Sequence, residues 1–329
     1  MMKQKEGQPP ISKNEPFAIQ ERTPKSAGCP LFCLLLLALA GCVKTPPGPK
    51  IDPALASLIP PDTILLAGAR LDKLQETATF KKNLANRPVP LFDDFSKQIG
   101  LQVRREDLWE LLLISDGKQN VMLGRGKFAN EAEPRIEIPG ATRFAYKGFN
   151  LVGDEREAVL LISPSVIGVG STPALRSLID NKGKSNGPPS SLAALLKDMP
   201  AESVLWAAYG GGVAKLPFNA PGDMANINKI IASIQSGSMY LDLRAGVNGL
   251  ITGNCANDQD AKSLHDALRA LSGLGRLAIP KDKPEEGRLL DGLRITQDSH
   301  KVNIHIEEPE ELVESLVGIL LGPGAGQAK

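Results

Sequence analysis

Hydrophobic positions along this chain switch between two periods. Residues 239–244 alternate strictly, with Met239, Leu241 and Leu243 to one side and Tyr240, Asp242 and Arg244 to the other. Residues 302–307 repeat the pattern, with Val302, Ile304 and Ile306 inward and Asn303, His305 and Glu307 outward. A period of two predicts strands of a sheet with one wet face. Between them, Ala261, Leu264, Leu268 and Leu271 recur at helical spacing, and Asn257 stands ahead of them as a cap.

The same reading places strands over 63–69, 108–115, 121–128, 143–152, 158–162 and 166–169, with Asp116-Gly117 as a hairpin turn. Helices are predicted over 72–86 and 91–99, split by Arg87-Pro88-Val89-Pro90, and over 173–180, where Thr172 caps and Pro173 takes the first position. Residues 181–189 read as a linker. Beyond it come a helix over 191–198, a strand over 203–209, a helix over 223–234, a strand over 249–254, a loop over 280–287, a strand over 289–297 and a helix over 309–320.

Part of this pattern repeats. Ile59-Pro60-Pro61-Asp62-Thr63-Ile64-Leu65-Leu66-Ala67 is echoed by Met199-Pro200-Ala201-Glu202-Ser203-Val204-Leu205-Trp206-Ala207. Asp116-Gly117 corresponds to Ala245-Gly246, and Lys147-Gly148 to Asp291-Gly292, in the same order. Ordered self-similarity predicts an internal duplication. The expected fold class is therefore α+β: two tandem related domains, 59–186 and 187–322, each an antiparallel sheet with helices on one face. Residues 323–329 are expected to be a disordered tail.

One stretch departs from both periods. Residues 31–41 are almost wholly apolar, follow Arg22 and Lys25, and lead into Cys42 to give Leu39-Ala40-Gly41-Cys42. A run this short is the length of a signal core rather than of a membrane span. The last four residues resemble the lipobox of bacterial lipoproteins. That resemblance implies a signal peptide over 1–41, cleavage between Gly41 and Cys42, and lipid on the Cys42 thiol as the contact with the membrane. Val43, where some lipoproteins carry an aspartate, implies the outer membrane rather than the inner one. Residues 42–58, rich in proline, are expected to form an extended tether to a body facing the periplasm.

Composition narrows the chemistry. Charge is nearly balanced at +1, and no basic stripe is present to meet nucleic acid. Cys29 and Cys33 leave with the signal and Cys42 takes lipid, so Cys255 has no partner for a disulfide. No zinc spacing occurs, and no catalytic residue, metal or cofactor is expected. Gly210-Gly211-Gly212 lacks the Lys-Ser/Thr ending of a phosphate loop, and Gly168–Thr172 reads as a strand-to-helix turn. The three histidines, His265, His300 and His305, come without a serine elbow. The expected role is non-enzymatic: binding or scaffolding, with an envelope protein as partner and the oligomeric state open. The alternatives are a small-molecule or lipid carrier using an interdomain cleft, and a hydrolase with an unrecognised site.

Overall fold

The computed structural model describes residues 48–85, 90–129, 136–211, 233–244, 246–280 and 284–312. The signal segment, Gly41 and Cys42, most of the helix expected over 223–234, most of that over 309–320, and the tail lie outside them.

The strands are β1 (Leu65–Arg70), β2 (Leu108–Ser115), β3 (Asn120–Gly126), β4 (Thr142–Tyr146), β5 (Phe149–Gly153), β6 (Glu157–Ser163), β7 (Val166–Ser171), β8 (Leu205–Tyr209), β9 (Ile234–Asp242), β10 (Val247–Cys255), β11 (Leu293–Asp298) and β12 (Lys301–Glu308). They form one antiparallel sheet in the order β11-β12-β10-β9-β8-β1-β2-β3-β7-β6-β5-β4. The helices are α1 (Pro53–Ala56), α2 (Leu71–Glu76), α3 (Ala78–Asn83), α4 (Pro90–Gln98), α5 (Thr172–Asn181), α6 (Ser190–Lys197), α7 (Asp258–Ala278) and α8 (Pro284–Asp291). The class is α+β. Among the described residues, no helix is long and apolar enough to cross a membrane.

The two expected segments meet inside the sheet. β1 pairs antiparallel with β8, and Ala67 stands opposite Ala207. These two alanines are the last residues of the repeated motif. Symmetry about them relates Leu66 opposite Ala208 to Trp206 opposite Gly68. On either side the order runs lead strand, hairpin, then further strands, with the β4–β5 hairpin extending the first half.

The layering of the first half differs from the expected single helical face. Leu112 and Leu160 join one core with Leu55 of α1, Leu175 and Leu178 of α5, and Leu192 and Leu196 of α6. Their neighbours Leu111 and Val159 join another core with Leu71 and Leu74 of α2, Phe80 of α3, Phe92 and Phe95 of α4, and Ile99 just beyond it. Successive strand residues point to opposite faces, so helices cover both. The cause is legible in Leu111-Leu112-Leu113-Ile114 and Val159-Leu160-Leu161, whose consecutive apolar side chains need cover on either side. In the second half, α7 packs Ala261, Leu264 and Leu268 over Cys255, Val302 and Ile295. The reverse face there carries polar contacts: Thr252 Oγ1 donates to Asn303 Oδ1 at 2.9 Å, and Asn254 Nδ2 to Ser236 Oγ at 2.9 Å.

Three local expectations change. The helix over 72–86 is two helices, because Thr77 is extended and its hydroxyl accepts from Phe80 N to start α3. The loop over 280–287 contains the first half of α8, and the strand expected from 289 begins at Leu293. The tether expected over 42–58 does not hold for residues 48–58, and residues 42–47 lie outside the described residues. A Cβ at Gly48 would lie 2.7 Å from the Leu196 carbonyl, α1 caps itself through Asp52, and Leu55 is 0 % exposed. Residues 48–58 belong to the body.

Candidate functional site

A polar cluster lies where residue 52 meets β2 and β3. Asp52 turns its backbone N–H toward the Glu110 carboxylate, 3.2 Å from Oε2, and its own carboxylate accepts from Arg125 Nε at 3.1 Å. Arg125 also donates to the Ser165 carbonyl at 3.0 Å. Glu110 stands opposite both Arg70 on β1 and Arg125 on β3. Arg70 forks onto Asp72, with Nε and Nη2 at 3.1 and 2.9 Å from its two oxygens.

Glu110 is 4 % exposed. Burial pushes its carboxyl up to about 7, against the Asp52 N–H and the Arg70 charge, which pull it down. A buried acid that titrates near neutrality is a common mark of catalysis. Here the acid is enclosed and accepts the main-chain N–H of residue 52.

Trp109 belongs to the same place. The β2–β3 register shifts between Leu108 and Glu110, leaving Trp109 as the extra residue of a bulge. Leu108 and Glu110 stay buried while Trp109 turns outward and is 38 % exposed. Bulges re-aim side chains in this way. The Arg125 guanidinium lies over the indole, 5.1 Å from the ring centroid. No motif in the sequence singles out Trp109, Glu110 or Arg125. Glu110 carries a signal in retrospect: it is the one charged residue inside Leu108–Ser115.

The residues considered from sequence fall elsewhere and do not converge. Cys255 is buried in the core under α7, its thiol pushed up by burial, with Ser233 Oγ at 4.0 Å. His265 is on α7 beside Asp266, at 3.0 Å. His300 is in the β11–β12 turn, and His305 points to the sheet face opposite Val302 and Cys255. Thr172 donates its amide to the Arg156 carbonyl and its hydroxyl to the Asp154 carbonyl, so the Gly168–Thr172 turn is structural. Asn257 Oδ1 accepts from Asp260 N at 2.9 Å, which makes it the α7 cap. Among the described residues, no cluster of three or more His, Cys, Asp or Glu could hold a metal ion.

β1 and β8 are joined by a continuous ladder, and the concavity that spans the two halves among the described residues is an open groove of about 280 Å³ lined by Lys73, Glu76, Thr77, Glu202, Val204 and Arg244. The larger concavities are open grooves within the first half. One, of about 560 Å³, lies between α4 and β5–β7, with Val152, Val159 and Val169 in its floor and Asp94, Lys97 and Glu157 at its rim. Another, of about 450 Å³, borders α4 and residues 100–105.

No family model matches the chain, and no curated protein does. Among solved structures, crystal forms III, I and IV of TP0453 are similar to it, with TM-scores of 0.47, 0.41 and 0.43 and identities of 9 %, 11 % and 9 %. They cover 82 %, 82 % and 83 % of this chain and 98 % of that chain in each form.

Proposed function

We propose that this chain is a lipid-anchored envelope protein whose twelve-stranded body serves as a binding or scaffolding module held at the membrane surface. Cys42 carries the lipid after cleavage at Gly41, and the body faces the periplasm, from the outer membrane. Its partner is another envelope protein. The single observation that carries the reading is how soon after the lipobox the chain is built into the body. Gly48 packs on the end of α6, and Asp52 is held by Glu110 and Arg125. Only Val43-Lys44-Thr45-Pro46-Pro47 separates Cys42 from that point. A membrane anchor followed by a short proline-containing spacer and a pinned first turn is a design for holding a body at a surface. Several acyl chains, at about 0.8 kcal/mol per buried CH₂, give stable attachment without a spanning helix.

The two halves are proposed to descend from a duplication. The β1–β8 register supports this, since it sets equivalent residues of the repeated motif opposite one another about Ala67 and Ala207.

Metabolic labelling with a clickable fatty acid tests the anchor. Wild-type protein takes up label and partitions with membranes, and a Cys42→Ser variant does neither. Persistent labelling of that variant would sink the proposal. Crosslinking of the lipidated protein in intact cells, followed by capture, tests the partner: a reproducible envelope protein at near-equal yield supports scaffolding.

A further inference from the structure

We infer that the end of the sheet bearing Trp109 is the surface this protein lays against its own bilayer. The inference rests on the lipid-anchor reading of Cys42 and adds an orientation to it.

The argument starts from lengths. Cys42 and Gly48 are six residues apart, and a proline-rich extended chain gains about 3.1 Å per residue, so the spacer spans at most roughly 20 Å. Twelve strands spaced about 4.8 Å apart make a sheet roughly 50 Å across. A spacer shorter than the body's own width keeps the attachment end of the body near the lipid. That end is well defined. Gly48 lies against the C-terminal end of α6, and four residues later Asp52 pairs with Arg125 near the end of β3.

The chemistry at that end suits an interface. Arg125, which holds Asp52, also stacks on Trp109, so the docked chain and the exposed indole share one contact residue. The bulge turns Trp109 outward although its neighbours on both sides are buried. Tryptophan favours the headgroup region of a bilayer, where an apolar ring with a polar edge satisfies both environments. Lys50 and Lys127, both exposed, lie two residues from Asp52 and Arg125 and supply cations for lipid phosphates. Trp109 alone would bind a membrane weakly. Held within reach by the anchor, it needs only to fix orientation.

The chain has two tryptophans, and the other, Trp206, is 2 % exposed in the core. Full-length lipidated protein is reconstituted into phosphatidylethanolamine–phosphatidylglycerol vesicles with and without brominated acyl chains, which quench indole emission at short range. Emission is expected to fall by up to about half in the wild type, the share of one indole in two. In Trp109→Phe it is expected not to fall, with the Trp206 emission maximum serving as the check on folding. Vesicle-bound, lipidated wild type with unquenched emission overturns the proposed surface while leaving the anchor intact, and that reading needs no variant. Quenching that persists in folded Trp109→Phe overturns it as well. A chain that carries no lipid on Cys42 overturns the anchor, and this inference with it.

Discussion

The indole of Trp206 occupies the space that a side chain on Gly68 would need. The two residues are opposite one another on β8 and β1, and a Cβ added at Gly68 would come closer to the ring than non-bonded atoms can approach. The pair related to it across Ala67 and Ala207 is Leu66 opposite Ala208. Both pairs match a large residue to a small one, and the larger ring has the smaller neighbour. This packing joins the two halves of the sheet. Gly68→Ala is therefore expected to destabilise by about 1–3 kcal/mol, the usual cost of overpacking. Combining it with Trp206→Leu recreates the Leu–Ala pairing, so the double variant should lose less than the sum of the two single losses. Urea unfolding of the four proteins in a cycle reads the coupling. Strict additivity would show that the two side chains do not compete for space.

Glu110 sets a pH dependence with a defined sign. Its carboxyl is raised by burial to about 7 in the folded protein, from an ordinary value of 4.5. Between those values the folded state binds more protons than the unfolded one, so stability falls as pH rises through that window. A tenfold change in proton affinity is worth about 1.4 kcal/mol, so the full loss between pH 4.5 and 7 is roughly 3 kcal/mol. Glu110→Gln keeps an acceptor for the Asp52 N–H and removes the charge. It should flatten this dependence and be more stable than wild type at pH 8. Denaturant midpoints at several pH values measure both effects; a wild-type stability that rises from pH 5 to 7 with no loss in the variant would contradict the assignment.

Leu55 distinguishes a body residue from a tether residue. It is fully buried in the core that contains Leu66, Leu112 and Leu192. Leu55→Ala is expected to cost about 2–5 kcal/mol, as for other buried leucines. The same substitution in a free tether would leave the unfolding midpoint unchanged, so one denaturation curve decides between the two.

The elements legible in the sequence were those whose environment is one-sided. The period-two residues of β9 and β12 and the helical stripe of α7 have a wet side and a dry side, so their pattern declares their structure. Where burial is two-sided, pattern is silent about layering. Leu111 to Ile114 read correctly as a strand, but nothing in four consecutive apolar residues says that one helix set covers each face. Prolines misled at residues 48–58, because Pro53 opens a buried helical turn as readily as it stiffens a spacer. The candidate site was the least legible part. Glu110, Arg125 and Asp52 lie on three segments and acquire meaning only through strand register and a bulge, which a linear pattern does not encode.

Cys255 yields the last prediction, since it is a free thiol buried in the body. It lies in the core with Ala261, Leu264 and Val302, and burial pushes its thiol above the ordinary value. Thiolate is the reactive form, so a raised pKa and an enclosed position both slow attack. Ellman's reagent at pH 8 should therefore find no rapidly reacting thiol in native lipidated protein and one per chain in denaturant. The native rate should follow the opening of the α7 layer, and Leu264→Ala, which hollows the packing over the sulfur, should raise it. A native thiol reacting as fast as free cysteine would place Cys255 at the surface and reopen it as a chemical group.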